Sequence, residues 1–471
     1  MPFASSAERK QQQAAMKILI LGAGQVGRTA AQALSREEAN EVTVVDSNEE
    51  LLRDLQERLD VRTVAGNAAY PSVLEAAGAA EAEIIVALTS SDEVNMMACE
   101  VAFTLFRTPT KVARIRSAEY TSRDALFGSD GLSVDVFISP EQLVTEYVER
   151  LIHHPGTLQV LDFADGKVRL VGVHARVGGG LVGHALRELP AHLPKMEVRV
   201  VAIYRDGRSI PPEGDTVILE GDEVFFLAAF DDIRRAMAEM RHGEDPARRI
   251  IIAGGGHIGF RLAQTLEKSN QVKLIERDAR RARKISEVLE SAIVLQGDAA
   301  DEELLIEENI DSTDVFCAVT NSEEANILSA MLAKRLGARK VMALINKPSY
   351  TELVESSSID IAISPQTITI SSLLAYVRRG DIVRVHALRR GAAEAIEAVV
   401  HGDERSSRVV GRTVGEIPLP EGASIGAVVR GEEVIMAHHD TRVLADDHVI
   451  LFLADRRHLE AIERLFVRST R

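Results

Sequence analysis

Two glycine-rich turns in this sequence have the spacing that holds a pyrophosphate. Each follows a short apolar run, reads G-x-G-x-x-G and leads into helix-forming residues. The first glycine permits a tight turn, the second lets the backbone approach the phosphates, and the third lets helix and strand pack closely. The N–H groups that begin the helix are then available to an anion. The first turn comprises Gly22, Ala23, Gly24, Gln25, Val26 and Gly27, and the second comprises Gly254, Gly255, Gly256, His257, Ile258 and Gly259.

An acidic residue follows each turn at the distance expected for a ribose contact. Asp46 lies 24 residues after Gly22, and Glu276 lies 22 residues after Gly254, each at the end of an apolar run. A carboxylate at the tip of the second strand accepts hydrogen bonds from adenosine ribose hydroxyls, and its charge disfavours a 2′-phosphate. The spacing therefore favours a nucleotide site that prefers NAD over NADP, rather than a plain strand-to-helix turn.

The elements that must position these residues alternate between strand and helix. This alternation predicts an α/β fold with a doubly wound parallel sheet, in which ligands bind at the carboxyl ends of the strands. The apolar run at residues 82–89 brings the hydroxyl of Thr89 to that edge, and the predicted fifth strand at residues 111–116 carries Arg114 and Arg116. An amphipathic stretch at residues 141–152 is expected to be a linker helix.

The second half of the chain repeats the first. The separation between the two turns is 232 residues and that between Thr89 and Thr320 is 231, while β-rich segments recur with offsets of 224 or 225. The repeat predicts two Rossmann-like doubly wound domains, each followed by a small α+β domain. The predicted bounds are 16–139 and 247–364 for the Rossmann-like domains and 157–241 and 384–470 for the small domains, with a disordered leader at 1–15.

Composition limits the classes of protein. The net charge of −16 argues against general nucleic-acid binding, which needs a basic face. No apolar run reaches the ~18–20 residues of a membrane span, and the N-terminus lacks a secretory segment. Cys99 and Cys317 lie in apolar segments and are expected to be reduced core residues of a cytosolic protein. The sequence indicates no metal site.

No catalytic residues stand out. A dehydrogenase on this fold needs a second domain that presents substrate and an acid or base to the nicotinamide ring, and none is evident. The histidine pairs at 153–154 and 438–439 occupy unmatched positions in the two halves and are expected to be exposed polar residues. A P-loop, G-x-x-x-x-G-K-[ST], is also absent from the sequence. Binding without turnover is favoured, with an NAD-dependent oxidoreductase as the alternative.

From residue 16 to its C-terminus the sequence resembles the tandem RCK (KTN) regulators of bacterial Trk potassium uptake. The resemblance is carried, in this order, by the segments 22–27, 44–46, 89–93, 113–116, 254–259, 274–276, 297–299 and 325–334. It implies that the dinucleotide contacts fall on the residues of both turns and on Asp46, Asn67, Thr89, Ser90, Arg114, Glu276, Asp298 and Thr320.

The resemblance also implies a regulatory role. Such a protein is cytoplasmic and peripheral to the inner face of the cell membrane, where it meets a potassium-conducting subunit of the TrkH or TrkG type. Its RCK domains form a homo-oligomeric ring, with four chains expected, and NAD(H), ATP and ADP set the conformation of that ring. Neither a nucleic-acid partner nor direct membrane insertion is expected. A regulator of another ion transporter remains the alternative.

The repeat also predicts a difference between the two halves. Arg114 and Arg116 align with Leu344 and Asn346, so only the first half keeps positive charge at these positions. Arginine forms charge-assisted contacts with phosphate. The first domain is therefore expected to be the ATP/NADH switch. Two alternatives are that these arginines pair with acids of a neighbouring chain, and that an arginine from an adjacent subunit supplies charge to the second site.

Overall fold

The computed structural model describes residues 16–35, 40–127, 131–194, 196–240, 246–347, 350, 354, 358–377, 381–388 and 393–466. The leader expected at residues 1–15 lies outside these ranges. The chain divides into two compact units, Met1–Pro140 and Glu141–Arg471. No described helix combines the length and the apolar content that crossing a membrane requires.

The first unit is an α/β domain with a six-stranded parallel sheet of order β3-β2-β1-β4-β5-β6. The order reverses between β1 and β4, and in sheets of this kind ligands bind beside that reversal at the carboxyl ends of the strands. Its strands are β1 Met16–Leu21, β2 Asn40–Asp46, β3 Arg62–Ala65, β4 Ile84–Ala87, β5 Thr110–Arg114 and β6 Val136–Ile138. Its helices are α1 Gln25–Leu34, α2 Glu49–Arg58, α3 Pro71–Ala77, α4 Asp92–Val101, which a π-helical turn Ala102–Phe106 extends, and α5 Ala118–Thr121.

The second unit begins with a helix and a small antiparallel sheet of order β10-β9-β11-β8-β7. The strands are β7 Thr157–Phe163, β8 Val168–His174, β9 Val198–Arg205, β10 Arg208–Ile210 and β11 Glu223–Ala229. The helices are α6 Pro140–His153, α7 Leu189–His192, which follows a 3₁₀ turn Leu186–Glu188, and α8 Ile233–Met240.

The remainder of the second unit repeats both architectures. A parallel sheet of order β14-β13-β12-β15-β16-β17 is followed by an antiparallel sheet of order β18-β19-β22-β20-β21. The parallel strands are β12 Arg249–Ala253, β13 Gln271–Glu276, β14 Ile293–Gln296, β15 Val315–Ala318, β16 Lys340–Leu344 and β17 Ile361–Ile363. The antiparallel strands are β18 Ile382–Leu388, β19 Ala393–Val399, β20 Ala423–Arg430, β21 Glu433–Met436 and β22 His448–Leu453. The helices are α9 His257–Leu266, α10 Ala279–Ser286, α11 Glu302–Glu307, α12 Glu323–Arg335, α13 Pro365–Val377 and α14 Leu459–Phe466.

The predicted fold class is confirmed, but two details differ from the sequence analysis. Helix α6 is more than a linker, because its apolar face, including Val144, Val148 and Leu151, is buried in the core of the second parallel sheet beside Ile250 and Leu262. In addition, strand β5 ends at residue 114. Arg116 therefore lies beyond the strand that was expected to carry it.

The two small domains share one hydrophobic core. Phe163 and Phe225 of the first sheet pack in the same buried cluster as Leu388 and Phe452 of the second. A polar contact also crosses this boundary, because the buried carboxylate of Glu397 accepts a hydrogen bond from the Ala164 amide at 3.0 Å. The duplication has thus produced a paired sheet structure rather than two separate modules.

Candidate nucleotide sites

Three glycines of the first turn meet different surroundings. Gly22 has φ of 109°, and a Cβ atom there would lie 2.9 Å from the Leu88 carbonyl oxygen. A Cβ on Gly27 would lie 1.8 Å from the Gly22 carbonyl oxygen. A Cβ on Gly24 would meet no described atom within 4 Å. The fold itself therefore requires the first and third glycines, whereas the space beside the second is open to a ligand.

The second turn repeats this division. Gly254 also has φ of 109°, and its Cβ would lie 2.9 Å from Thr320 Cα. A Cβ on Gly259 would lie 1.9 Å from the Gly254 carbonyl oxygen, while one on Gly256 would meet only Asn321 Oδ1 at 3.9 Å. Open space again lies beside the middle glycine.

The helices that follow the two turns begin without side-chain caps among the described residues. Gly24 is the N-cap of α1 and Gly256 is the N-cap of α9. Uncapped N–H groups at a helix N-terminus, together with the helix dipole, form an anion site. Most neighbouring helices of both domains are capped instead, and the capping residues are Asn48, Ser91, Asp278, Asp301 and Ser322.

The two predicted ribose acids are held by the backbone. Asp46 accepts hydrogen bonds from the Ala23 amide at 2.6 Å and from the Asn48 amide at 2.8 Å. Glu276 accepts equivalent bonds from Gly255 at 2.9 Å and from Asp278 at 2.8 Å. Each carboxylate is therefore fixed at the tip of its strand beside the glycine turn. Because a carboxylate offers about four acceptor positions, each retains capacity for ribose hydroxyls.

The difference between aspartate and glutamate is matched by a difference in the turn. A Cβ on Gly255 would lie 2.8 Å from Glu276 Oε2 and 2.5 Å from Ile285 Cδ1, so an alanine such as Ala23 does not fit there. The longer Glu276 side chain takes that space and is only 8% exposed, whereas Asp46 is half-buried. The two turns thus have the same backbone conformation but different pairs of side chains.

A buried asparagine fixes each predicted threonine. Asn95 Oδ1 accepts bonds from the Thr89 amide at 2.9 Å and from its hydroxyl at 2.7 Å, and Asn95 Nδ2 donates to the Arg114 carbonyl at 2.8 Å. The Thr89 hydroxyl donates to Asn95 and accepts from the Ser91 amide at 3.3 Å, so one lone pair of its oxygen remains for a ligand. The sequence analysis had not assigned this asparagine a role, although it recurs at the 231-residue offset.

Asn326 makes the same bonds in the second domain. It accepts from the Thr320 amide at 2.8 Å and hydroxyl at 2.7 Å, and donates to the Leu344 carbonyl at 2.9 Å. Because Asn95 and Asn326 reach equivalent carbonyls, Arg114 and Leu344 occupy equivalent positions. The structure therefore places an arginine in the first domain where the second domain has a leucine, as the repeat predicted.

The two arginines of the first domain differ in their surroundings. Arg114 ends β5 and is half-buried. Arg116 is bound within its own domain, because its Nε lies 3.3 Å from Asp92 Oδ1 and its Nη2 donates to the Ser90 carbonyl. Arg116 is thus held in a contact with Asp92, whereas Arg114 is the candidate for a phosphate contact because it ends β5 at the carboxyl edge of the sheet.

Five of the remaining predicted contacts are exposed residues close to the carboxyl edge, while Val26 and Ile258 in the first turns of α1 and α9 are half-buried. Asn67 and Asp298 follow β3 and β14, and each side chain accepts a bond from the amide two residues ahead at 2.9 Å. Ser90 is exposed directly after Thr89. Gln25 and His257 are exposed at the starts of α1 and α9.

The other reactive side chains considered in the sequence analysis do not join these sites. Burial raises the pKa of the Cys99 and Cys317 thiols to about 12, so both remain protonated core residues. His438 and His439 are exposed as expected. The expectation of exposure was wrong for His154, which is half-buried with Nε2 at 2.7 Å from Arg169, and burial lowers its pKa.

Models of two domain families each match this chain twice. The TrkA-N domain matches residues 18–140 and 250–365, and the TrkA-C domain matches residues 170–241 and 404–467. Together with the duplicated sheets, these matches define a tandem protein of two TrkA-N and two TrkA-C domains.

Several relatives match nearly the full length of this chain and are named Trk system potassium uptake protein TrkA or a homolog of it. The chain is 57% identical over 451 residues to Trk system potassium uptake protein TrkA of Halomonas elongata. The aligned region covers 96% of this chain and 98% of that protein. It is 57% identical over 452 residues to the Vibrio alginolyticus protein of that name, with the same coverage. The Archaeoglobus fulgidus homolog is 34% identical over 452 residues, with 96% and 100% coverage. The chain belongs to this TrkA family of the Trk potassium uptake system.

Solved structures of RCK proteins share the fold. The crystal structure of the GsuK RCK domain has a TM-score of 0.61 at 19% identity and covers 97% of this chain and 96% of that one. The GsuK channel bound to NAD has a TM-score of 0.60 at 18% identity, with coverages of 97% and 79%. The predicted resemblance to tandem RCK regulators is thus confirmed at the level of family and fold.

Proposed function

We propose that this chain is the nucleotide-sensing regulatory subunit of a Trk-type potassium uptake system. It binds NAD(H) and ATP or ADP at both glycine turns without turning them over. The observation that supports this best is the uncapped helix start that faces open space beside a fixed carboxylate, at Gly24 and Asp46 and again at Gly256 and Glu276. A neighbour of the same fold, the GsuK channel, is described as bound to NAD.

In this proposal each element contacts a different part of the dinucleotide. The pyrophosphate lies against the N–H groups that begin α1, because they carry partial positive charge and no described side chain caps them. The hydroxyl groups of the adenosine ribose donate hydrogen bonds to the Asp46 carboxylate. The Thr89 hydroxyl, whose proton points to Asn95, accepts from the ligand. The second site uses Glu276 and Thr320 in the same way.

The choice between NAD and NADP tests the assigned role of the carboxylates. A 2′-phosphate placed beside Asp46 or Glu276 meets like charge and displaces ribose hydrogen bonds, so NADH should bind at least tenfold more tightly than NADPH. Calorimetric titration of the full chain with each nucleotide measures this ratio. Equal affinities for NADH and NADPH would contradict the assigned ribose contact.

Exposed apolar side chains support assembly of several chains. Met97 on α4 and Leu328 at the equivalent position on α12 are 51% and 62% exposed, although both helices are otherwise packed on their sheets. Their recurrence on equivalent helices of the two domains supports an interaction surface on each. We assign these faces to a homo-oligomeric ring of RCK domains. Replacement of both residues by aspartate should reduce the mass measured by light scattering, and an unchanged mass would contradict this assignment.

Regulation follows from different affinities for two conformations of that ring. A nucleotide shifts the ring only to the extent that it binds one conformation more tightly, so ATP and NADH in one pocket can have opposite effects. The ring acts from the cytoplasm on a potassium-conducting membrane subunit of the TrkH or TrkG type.

Co-purification identifies the partner. The chain should retain a TrkH- or TrkG-type subunit from membranes, and potassium flux through the reconstituted pair should respond to NADH and ATP. A Gly24→Asp and Gly256→Asp double variant is the matched control, because it should still bind the membrane subunit but lose the nucleotide response. Retention of a different ion transporter would favour the alternative regulator. NADH oxidation with a metabolite would favour the oxidoreductase.

A further inference from the structure

The first small domain contains a cluster of two histidines and two glutamates that the nucleotide sites do not use. His184, Glu188 and His192 are spaced four residues apart around the 3₁₀ turn and α7, and one ligand atom from each lies within 4.8 Å of the others. Glu239 reaches the cluster from α8, with its Oε2 at 3.4 Å from His192 Nδ1. His184 Nδ1 lies 2.9 Å from Glu188 Oε2.

These separations suit a common metal ion. Tetrahedral Zn²⁺ with bonds of about 2.0–2.1 Å to nitrogen and oxygen sets its ligand atoms about 3.3 Å apart. The His192–Glu239 separation of 3.4 Å already matches that value, and the His184–Glu188 separation is slightly shorter. The ligand atoms of His184, Glu188 and His192 thus already lie close enough for one ion to draw them together through small side-chain rotations, and Glu239 joins them from the side of His192. Two carboxylates also balance the charge of a divalent ion.

A glycine leaves room for the cluster. A Cβ atom on Gly180 would lie 2.1 Å from Glu239 Oε2 and 3.4 Å from His192 Nδ1. Gly180 is not among the residues with positive φ, so its backbone conformation does not demand glycine. The missing side chain instead admits the Glu239 carboxylate to His192.

Comparison with the second small domain shows which cluster residues the fold requires and which it does not. Glu188 and Glu416 occupy equivalent positions, and their side chains accept hydrogen bonds from the amides of Ala185 at 3.3 Å and Thr413 at 2.8 Å. In the second domain, however, the other three cluster positions hold Arg412, Pro420 and Leu465, none of which is a ligand for a divalent metal. The fold needs the capping glutamate but not His184, His192 or Glu239.

We propose that His184, Glu188, His192 and Glu239 bind one divalent transition metal, with Zn²⁺ as the best fit. Imidazole and carboxylate are ligands that Zn²⁺ accepts, and the four side chains are between a quarter and a half exposed, which gives the ion a path from solvent. The bound ion joins the α7 segment to α8. It thereby stabilises the first small domain, whereas the described residues of the second small domain form no such cluster.

Cobalt and zinc titrations of the tag-free full chain test this proposal. After treatment with chelator, the wild-type chain should bind one equivalent of Co²⁺ with the visible absorption of a four-coordinate site, and Zn²⁺ should displace it. A His184→Gln and His192→Gln double variant should lose at least a hundredfold in affinity. The matched control changes His438 and His439 to Gln, which removes two exposed histidines outside the cluster and should leave binding unchanged.

Folding is monitored separately. Zn²⁺ should raise the melting temperature of the wild-type chain and of the control but not of the double variant, because only a site present in the folded state stabilises it. If the double variant does not fold, Glu239→Gln provides the second test and should weaken Co²⁺ binding at least tenfold. Absence of saturable Co²⁺ binding to the wild-type chain, or equal affinity in wild type and either variant, would overturn the proposal.

Discussion

The two glycine turns have the same backbone but different side chains around it. The first combines Ala23 with Asp46, and the second combines Gly255 with Glu276. The larger acid is thus paired with the smaller turn residue, because the Glu276 side chain takes the space that a Cβ atom on residue 255 would need. Beside the turns the difference is one of charge, because Arg114 is replaced by Leu344. The comparison indicates that backbone packing constrains both turns equally, while the charge beside them differs.

The largest expected effect comes from filling the open space beside the middle glycines. Gly24→Asp and Gly256→Asp should each abolish nucleotide binding at their own site, a loss of at least a hundredfold, because a carboxylate would occupy the pyrophosphate position and repel it. Calorimetry with NADH measures the loss. Since a Cβ at either position meets no close atom, the melting temperature should change little. Loss of the folded protein instead would show that these glycines are structural.

The small domains differ at a half-buried histidine. His386 of β18 corresponds to Leu161 of β7, and burial lowers the pKa of His386 to about 4. A base with a depressed pKa in the folded state binds fewer protons there than in the unfolded state, so its contribution to stability falls as pH drops from 6.5 to 4. Across this pH range the contribution of His386 to the free energy of unfolding falls by about 3 kcal/mol.

His386→Leu, which copies the first half, should therefore reduce the acid-side slope of stability against pH. Urea denaturation between pH 7 and pH 4 measures that slope in both proteins. His153→Leu, at an exposed position, is the control and should leave the slope unchanged. Parallel curves for wild type and His386→Leu would contradict the assignment.

The compensation between turn and acid can be tested as a double-mutant cycle. Gly255→Ala should destabilise the second domain by about 1–3 kcal/mol, because the new methyl group overlaps Glu276 and Ile285. Adding Glu276→Asp should restore most of that loss and recreate the first turn. The reverse pair, Ala23→Gly with Asp46→Glu, is the matched control in the first domain. Additive effects in the second domain would show that the two residues do not share this space.

Much of this site could be predicted because its residues lie in continuous motifs. The turn glycines and the acids at the strand tips are fixed by short spacings that the backbone enforces, and the 231-residue repeat located Thr89 and Thr320. The role of Asn95 was missed because it lies on the next helix and acts through a buried bond to the Arg114 carbonyl. The nucleotide contacts of the glycines, the acids and the threonines stay predictions.

Long-range packing could not be predicted in the same way. The amphipathic pattern of α6 shows that one face is buried but does not identify the sheet that covers it. The pairing of the small domains, where Phe163 and Phe452 share a core, has no local signal either. The His184 cluster likewise depends on Glu239, which is distant in sequence and reaches His192 only in the folded domain.

The most direct test of the difference between the halves is the affinity of the first site for ATP. In a chain whose second site is disabled by Gly256→Asp, Arg114→Leu makes the first site resemble the second. Loss of a charge-assisted contact worth about 1.5–3 kcal/mol should weaken ATP binding tenfold or more. NADH affinity should fall less, because its phosphates carry less charge. Calorimetry should show this selective loss against Gly256→Asp alone, and unchanged ATP affinity would contradict the assignment of the first site as the charge-selective switch.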